Sequence, residues 1–105
     1  MREAAILHRC MLALSEAGCT VFRAQVGTFW TADGRPVRIG VPGHSDLYGF
    51  RPDGRMFFVE TKSERGTLSA DQKNFLQRMR SRGAVAVVAR DPNDCVRLVL
   101  GNSHQ

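Results

Sequence analysis

The chain has 105 residues, of which 43% are hydrophobic, and its fifteen Lys and Arg against ten Asp and Glu give a net charge of +5. This length predicts a single domain, residues 1–105, with one core, and the hydrophobic fraction excludes a disordered chain. A basic surface is compatible with a polyanionic partner, although many basic domains bind none.

The cysteines argue against a disulfide framework and against a structural zinc site. Cys10, Cys19 and Cys95 are odd in number, widely spaced and without a Cys-x-x-Cys pair. We therefore expect buried thiols in a reducing compartment. No segment approaches the roughly 18 apolar residues of a membrane-spanning helix, and there is no signal-peptide pattern, so we expect a cytoplasmic protein.

A helix and a strand are predicted first. Apolar residues recur at helical spacing over residues 2–17 and predict an amphipathic helix there. Residues 19–26 then alternate in polarity, which predicts a strand with Val21, Arg23 and Gln25 on one face.

Residues 27–43 are rich in glycine and proline and predict a long, mobile loop, made basic by Arg35 and Arg38. A loop of that length in a small domain is more often functional or disordered than idle. Within it, Phe29 and Trp30 form either a small core anchor or a stacking surface. We favour the anchor, because aromatic pairs usually pack.

A β-hairpin is the clearest element of the sequence. Residues 46–50 and 56–62 flank the turn Arg-Pro-Asp-Gly-Arg, in which proline presets φ and glycine supplies a positive φ. If all five of these residues form the turn, Asp46 lies directly opposite Glu60, and the two side chains share a face. A four-residue turn would place Asp46 opposite Val59 instead, so the register is a testable part of the prediction.

The remaining elements complete an α/β fold. We predict a helix over residues 70–82, a strand covered on both faces at 84–89, a short helix over 92–100 and a frayed tail at 102–105. Three strands then form a meander, and a right-handed helical crossover returns the fourth strand parallel to the third. The expected architecture is a mixed four-stranded sheet flanked by helices.

Charged side chains share one face of the predicted hairpin. Asp46 opposes Glu60, and Lys62 lies on the same face because residues two apart on a strand do. Two carboxylates this close repel each other unless a cation lies between them, and Mg²⁺ or Mn²⁺ fits because both prefer carboxylate oxygens. The alternative is a ladder of solvated surface ion pairs. Tyr48 and Phe58 on the same face favour a covered, catalytic site.

Three segments carry a family resemblance: Gly-His-Ser-Asp at 43–46, Phe-Val-Glu-Thr-Lys at 58–62 and Leu-Ser-Ala-Asp-Gln at 68–72. Together with the following Arg-x-Gly-Ala-Val strand they resemble the PD-(D/E)xK nuclease superfamily and, more closely, its VRR-NUC domains. These domains occur as small stand-alone phage and bacterial proteins. The resemblance covers residues 2–100 and implies an αβββαβ core, which agrees with the order of elements predicted above.

The resemblance also implies roles for the matching positions. Metal ligands are implied at Asp46, Glu60, the Thr61 carbonyl and Glu3. Lys62 matches a lysine that orients the attacking water and offsets developing charge. Glu3 has an alternative interpretation, since an acidic residue in the first turn also stabilises a helix dipole.

Further positions are implied around this centre. Gln72 matches a catalytic-site glutamine of the second helix, although the spacing from Ser69 also makes it part of a helix capping box. Arg23 and Gln25 match a polar strand position near the metal. Other candidate contacts to nucleic acid, for which a solvated basic surface is the alternative, are Arg35, Arg38, His44, Ser45 and Arg65.

The sequence therefore predicts a Mg²⁺- or Mn²⁺-dependent deoxyribonuclease. The resemblance implies branched or otherwise structured DNA as the substrate, a homodimer as the assembly, and a bacterial or phage-infected cell as the setting. The alternative is a non-catalytic module that binds nucleic acid with the same fold, and a third possibility is a small basic structural protein.

Overall fold

The computed structural model describes residues 1–101, so the predicted tail at 102–105 lies outside the described residues. The helices are α1 (Glu3–Glu16), α2 (Ala70–Ser81) and α3 (Pro92–Leu100). The strands are β1 (Thr20–Arg23), β2 (Gly27–Trp30), β3 (Pro36–Ile39), β4 (Leu47–Phe50), β5 (Met56–Thr61) and β6 (Val85–Ala89). No helix within residues 1–101 is long and apolar enough to cross a membrane.

Four strands form a mixed sheet in the order β1-β4-β5-β6. β1, β4 and β5 are antiparallel neighbours, and the chain returns through α2 to place β6 parallel to β5. The α/β fold class and the predicted topology of this sheet are confirmed. Leu47 pairs with Val59 and Phe50 with Met56, which confirms the five-residue turn of the hairpin.

Helices cover both faces of the sheet. Leu47 and Val59 are buried in a core cluster that includes residues of α1 and α3. On the other face, Phe58 packs against Phe75 of α2. Because side chains alternate along a strand, Glu60 shares the face of Phe58 and points toward α2.

The prediction of a loop over residues 27–43 is wrong, because the chain forms a second hairpin there. β2 and β3 pair with each other in an antiparallel two-stranded sheet, with Phe29 opposite Val37. Gly34 lies in the connecting turn with a φ of 85°, a conformation that glycine adopts without strain. Phe29 and Trp30 are 46% and 68% exposed, so the prediction that they anchor a core is also wrong.

The first strand is shorter than the sequence predicted. β1 ends at Arg23, and the next amide, that of Ala24, donates a hydrogen bond to the Asp46 carbonyl (2.9 Å). The chain then leaves the main sheet and enters β2 of the second hairpin. The base of this hairpin therefore lies directly beside Asp46.

Candidate active site

Five predicted site residues meet where β5 ends and α2 begins. Glu60 and Thr61 are the last residues of β5, and Lys62 follows them. Asp46 immediately precedes β4, whose pairing with β5 brings it beside the end of that strand. Gln72 reaches the same place from the first turn of α2.

Asp46 is held in place by Thr61. Its Oδ2 accepts hydrogen bonds from the Thr61 backbone N–H (2.9 Å) and from Thr61 Oγ1 (2.6 Å). Thr61 is buried, so both bonds form where water competes little for them. The carboxylate of Asp46 is therefore fixed against the end of β5 and not free on the preceding loop.

Gln72 serves the helix and the site at once. Its Oε1 accepts a hydrogen bond from the Ser69 backbone N–H (2.9 Å), and Ser69 Oγ accepts one from the Gln72 backbone N–H (3.1 Å). This reciprocal pair is the predicted capping box at the start of α2. The Nε2 of Gln72 donates to Glu60 Oε2 (2.8 Å), so the capping residue is also a partner of the candidate metal ligand.

Lys62 places a cation beside the same carboxylate. Its Nζ lies 3.4 Å from Glu60 Oε2, and its side chain is only 13% exposed. The Lys62 backbone N–H donates to the Ala89 carbonyl (3.0 Å), which continues the pairing of β5 with β6. Gly66 lies so close that a Cβ there would stand 3.3 Å from Lys62 Cδ. Packing and backbone bonds therefore hold the ammonium group at the site.

Glu60 is the electrostatically unusual member of this group. It is 2% exposed, and the pKa of its carboxyl is raised to about 7, chiefly by burial and then by the nearby Asp46 carboxylate, whereas Lys62 opposes the rise. Its Oε2 faces Gln72 and Lys62, but its Oε1 is buried without a hydrogen-bond partner among the described residues. An unpaired buried polar atom costs about 1–3 kcal/mol, and more when it is charged.

The unpartnered oxygen is suited to a metal ion. Mg²⁺ binds through one or two carboxylates and keeps several waters, so Glu60 with Asp46 fits its requirements. Within residues 1–101 no three His, Cys, Asp or Glu side chains cluster as a metal site, so Glu3 does not join these two carboxylates. Glu3 lies exposed in the first turn of α1. The structure thus brings together the predicted ligands Asp46, Glu60 and Thr61, but not Glu3.

Comparison with known proteins identifies the family to which this chain belongs. The VRR-NUC domain profile matches residues 11–91. The chain belongs to the VRR-NUC family. A solved structure described as a VRR-NUC domain is similar to it with a TM-score of 0.70 and 22% sequence identity, over 99% of each chain, which shows the shared fold. No curated protein matches the chain. VRR-NUC is a nuclease domain, so the predicted resemblance and the nuclease class are confirmed.

Two predicted nucleic-acid contacts of this VRR-NUC chain have internal partners instead. Ser45 is 1% exposed and its Oγ donates to the Leu47 carbonyl (2.8 Å), so the prediction that it contacts nucleic acid is wrong. His44 is half-buried, with Nδ1 2.7 Å from the Ser45 carbonyl and its ring centroid 4.4 Å from that of Phe75. The ring of His44 thus seats the loop before Asp46 against α2.

The structure does not bring Arg23 to the carboxylates. Arg23 is exposed and pairs with Leu47, so it shares the face of the sheet that α1 and α3 cover, opposite to the face of Glu60. Gln25 is exposed beyond the end of β1. Arg35 and Arg38 are exposed on the second hairpin, which is separate from the elements that carry the site residues.

One residue of this region was missed by the sequence reasoning. Arg90 follows β6, and its Nη1 donates to the carbonyls of Ser63 (2.8 Å) and Gly66 (2.6 Å). These bonds fix the loop that carries the exposed Arg65 and packs against Lys62. No periodicity or motif could have indicated Arg90, because its partners are backbone carbonyls more than twenty residues away.

Proposed function

We propose that this VRR-NUC chain is a Mg²⁺- or Mn²⁺-dependent DNA endonuclease that hydrolyses phosphodiester bonds in branched or otherwise structured DNA, in replication, recombination or repair. The observation that supports it best is the buried, unpartnered Oε1 of Glu60 beside the carboxylate of Asp46. A structural ion pair has no need of such an oxygen, whereas a metal ligand requires one.

Each residue of the site has a distinct task in this proposal. Asp46, Glu60 and the Thr61 carbonyl would hold the ion. When bound, Mg²⁺ or Mn²⁺ supplies Lewis-acid stabilisation of the scissile phosphate and lowers the pKa of a bound water. Gln72 keeps Oε2 of Glu60 turned toward α2, which leaves Oε1 for the ion.

Lys62 supplies the fixed positive charge of the site. The transition state of phosphodiester hydrolysis carries more negative charge on the phosphate oxygens than the substrate does. An ammonium group that packing already holds in place stabilises that charge without having to reorganise. Its 3.4 Å distance from Glu60 Oε2 puts it close enough to orient a water beside the carboxylate.

Three substitutions test the proposal. Asp46→Ala, Glu60→Ala and Lys62→Ala should each lower the rate of DNA cleavage in Mn²⁺ by about 100-fold or more. Matched controls are Glu16→Ala for the acidic residues and Lys73→Ala for the lysine, because both control side chains are exposed on helices. Cleavage of a panel of duplex, nicked, flapped and four-way oligonucleotides gives the substrate preference. Wild-type rates in all three site variants would refute the assignment.

A second candidate function has its own support. Because Lys62 already lies 3.4 Å from Glu60, the site has a partial charge balance without a metal, as a non-catalytic DNA-binding module would need. Such a module would bind flapped or branched DNA equally well in EDTA and Mn²⁺, with a steep dependence on salt. Binding without any cleavage in Mn²⁺ would favour this alternative over the nuclease.

We also infer that the active form is a homodimer. A chain of 105 residues offers little surface with which to grip a duplex, and two copies would present two sites to two strands. Sedimentation equilibrium should give a mass near 23 kDa, about twice the 11.7 kDa of one chain. A mass of one chain at micromolar concentration would contradict the inference.

A further inference from the structure

The arm, which we define as residues Gly27–Ile39, is a part of the chain that the proposed reaction does not use. Its two strands, β2 and β3, pair only with each other within residues 1–101. An isolated two-stranded hairpin is only marginally stable in water. A patch of large apolar side chains exposed on such an element marks an interaction surface.

One face of the arm combines an aromatic ring with a positive charge. Trp30 pairs with Pro36, and Thr28 pairs with Arg38, so the four side chains lie on one face with Trp30 and Arg38 in diagonal positions. Trp30 is 68% exposed, more than any other large hydrophobic residue of the described chain. An exposed indole beside an arginine is the combination that stacks on bases and contacts phosphates.

The charges of the arm leave Arg38 available. Arg35 forms an ion pair with Asp33 (3.1 Å) in the turn of the arm. No ion pair engages Arg38 in the part of the chain that the structure describes. The whole chain has a net charge of +5, and Arg38 adds an unpaired positive charge to the arm. Both favour an anionic partner over an uncharged, apolar one.

The arm also starts at the candidate active site. The Ala24 amide, three residues before the arm, donates a hydrogen bond to the Asp46 carbonyl (2.9 Å), and Asp46 is a candidate metal ligand. From Ala24 to Trp30 an extended chain spans about 20 Å at roughly 3.3 Å per residue. Because each base step of a duplex rises about 3.4 Å, this upper limit places Trp30 within about six base steps of the Asp46 backbone.

We propose that Trp30 and Arg38 form a stacking site for an unpaired base of the DNA substrate. The indole packs on the face of the base, and the guanidinium contacts the adjoining phosphate. Bases inside a duplex already stack on each other, so free base faces occur in single strands and at branch points. The choice of DNA as the partner rests on the proposed nuclease function, and the arm would give that nuclease its preference for structured DNA.

The fluorescence of the wild-type protein tests this directly, because Trp30 is the only tryptophan of the chain. The full-length protein is titrated in EDTA, so that nothing is cleaved, with a blunt duplex and with the same duplex carrying a single-stranded flap. The flapped DNA should quench the tryptophan emission, and the blunt duplex should not. Equal quenching by the two, or none by either, overturns the proposal.

Variants measure what the contact contributes. Trp30→Ala should weaken binding to the flapped DNA by between about five- and 150-fold, the range known for stacking on one base, and Trp30→Phe should retain much of it. Leu12→Ala is the matched control, since Leu12 is 61% exposed on α1 and its truncation should change nothing. Arg38→Ala should weaken binding and lower the slope of log affinity against log salt by about one.

The remaining outcomes separate this inference from its rivals. If Trp30→Ala converts a dimer to a monomer, the arm binds a second copy of the chain and the stacking proposal is overturned. If the wild type cleaves DNA but Trp30→Ala binds the flap normally, the inference fails and the nuclease stands. If flapped DNA quenches Trp30 but no DNA is cleaved in Mn²⁺, the nuclease proposal fails and the stacking site stands.

Discussion

Replacing Glu60 by glutamine should make the metal-free protein more stable. The pKa of Glu60 is about 7 in the folded protein against an ordinary value of 4.5, so the charged carboxylate costs the fold about 3 kcal/mol at pH 8. Glutamine keeps the shape and an oxygen that accepts from Gln72 Nε2, but it carries no charge to bury or to oppose Asp46. Glu60→Gln should therefore raise the free energy of unfolding in EDTA by up to about 3 kcal/mol.

The sign of the pH dependence distinguishes this effect from a general change in packing. Between pH 4.5 and pH 7 the folded protein keeps the Glu60 proton that the unfolded chain has released. This group therefore makes the wild type less stable as the pH rises through that range. The advantage of Glu60→Gln should be absent near pH 4, grow through this range and be constant above pH 7. Urea unfolding followed by circular dichroism at pH 4, 6 and 8 measures it.

Metal should reverse the ranking, because an ion that binds only the folded protein stabilises it by mass action. Saturating Mn²⁺ at pH 8 should raise the stability of the wild type and leave Glu60→Gln little changed. Glu16→Gln, at an exposed glutamate on α1, is the control and should show no such pH dependence. The reasoning is refuted if Glu60→Gln is no more stable than the wild type in EDTA at pH 8.

Two further substitutions probe how α2 supports the site. Ser69→Ala removes one hydrogen bond of the capping box and should lower the free energy of unfolding by about 1 kcal/mol. Gln72→Ala also removes the hydrogen bond to Glu60 Oε2, so it should slow DNA cleavage about tenfold more than Ser69→Ala does. Equal cleavage rates for these two variants would show that the Gln72 contact is only structural. Gly43 has a φ of 77°, and a Cβ there would lie 2.2 Å from the Asp71 carbonyl oxygen. Gly43→Ala should therefore lower the free energy of unfolding by about 1–3 kcal/mol and slow DNA cleavage. Thermal melts and cleavage assays on wild type and variant check it, and a fully stable Gly43→Ala would contradict the close packing.

The site could be predicted from the sequence where local rules decide the geometry. The length of the Arg-Pro-Asp-Gly-Arg turn fixes the pairing of β4 with β5, and alternation along the strands then puts Asp46, Glu60 and Lys62 on one face. The spacing of Ser69 and Gln72 predicted the capping box in the same way, because both partners lie within one helical turn.

The arm could not be recognised by the same rules, because its signals conflict. Six of the seventeen residues 27–43 are glycine or proline. The aromatic side chains of the arm do not point into a core, so the sequence shows no periodicity of burial there. The Asp-Gly pair at Gly34 was the one usable hairpin signal. The placement of Arg90 was equally hidden, since it depends on two backbone segments that meet only in the folded chain.

The capping box explains why Gln72 presents a donor and not an acceptor to Glu60. The amide has one oxygen and one nitrogen, and Oε1 is engaged by the Ser69 backbone N–H, so Nε2 must point the other way. A donor there stabilises the charged form of Glu60 and turns Oε2 toward α2, which leaves Oε1 as the atom without a partner. The start of a helix thus determines which carboxylate oxygen remains available for the proposed metal ion.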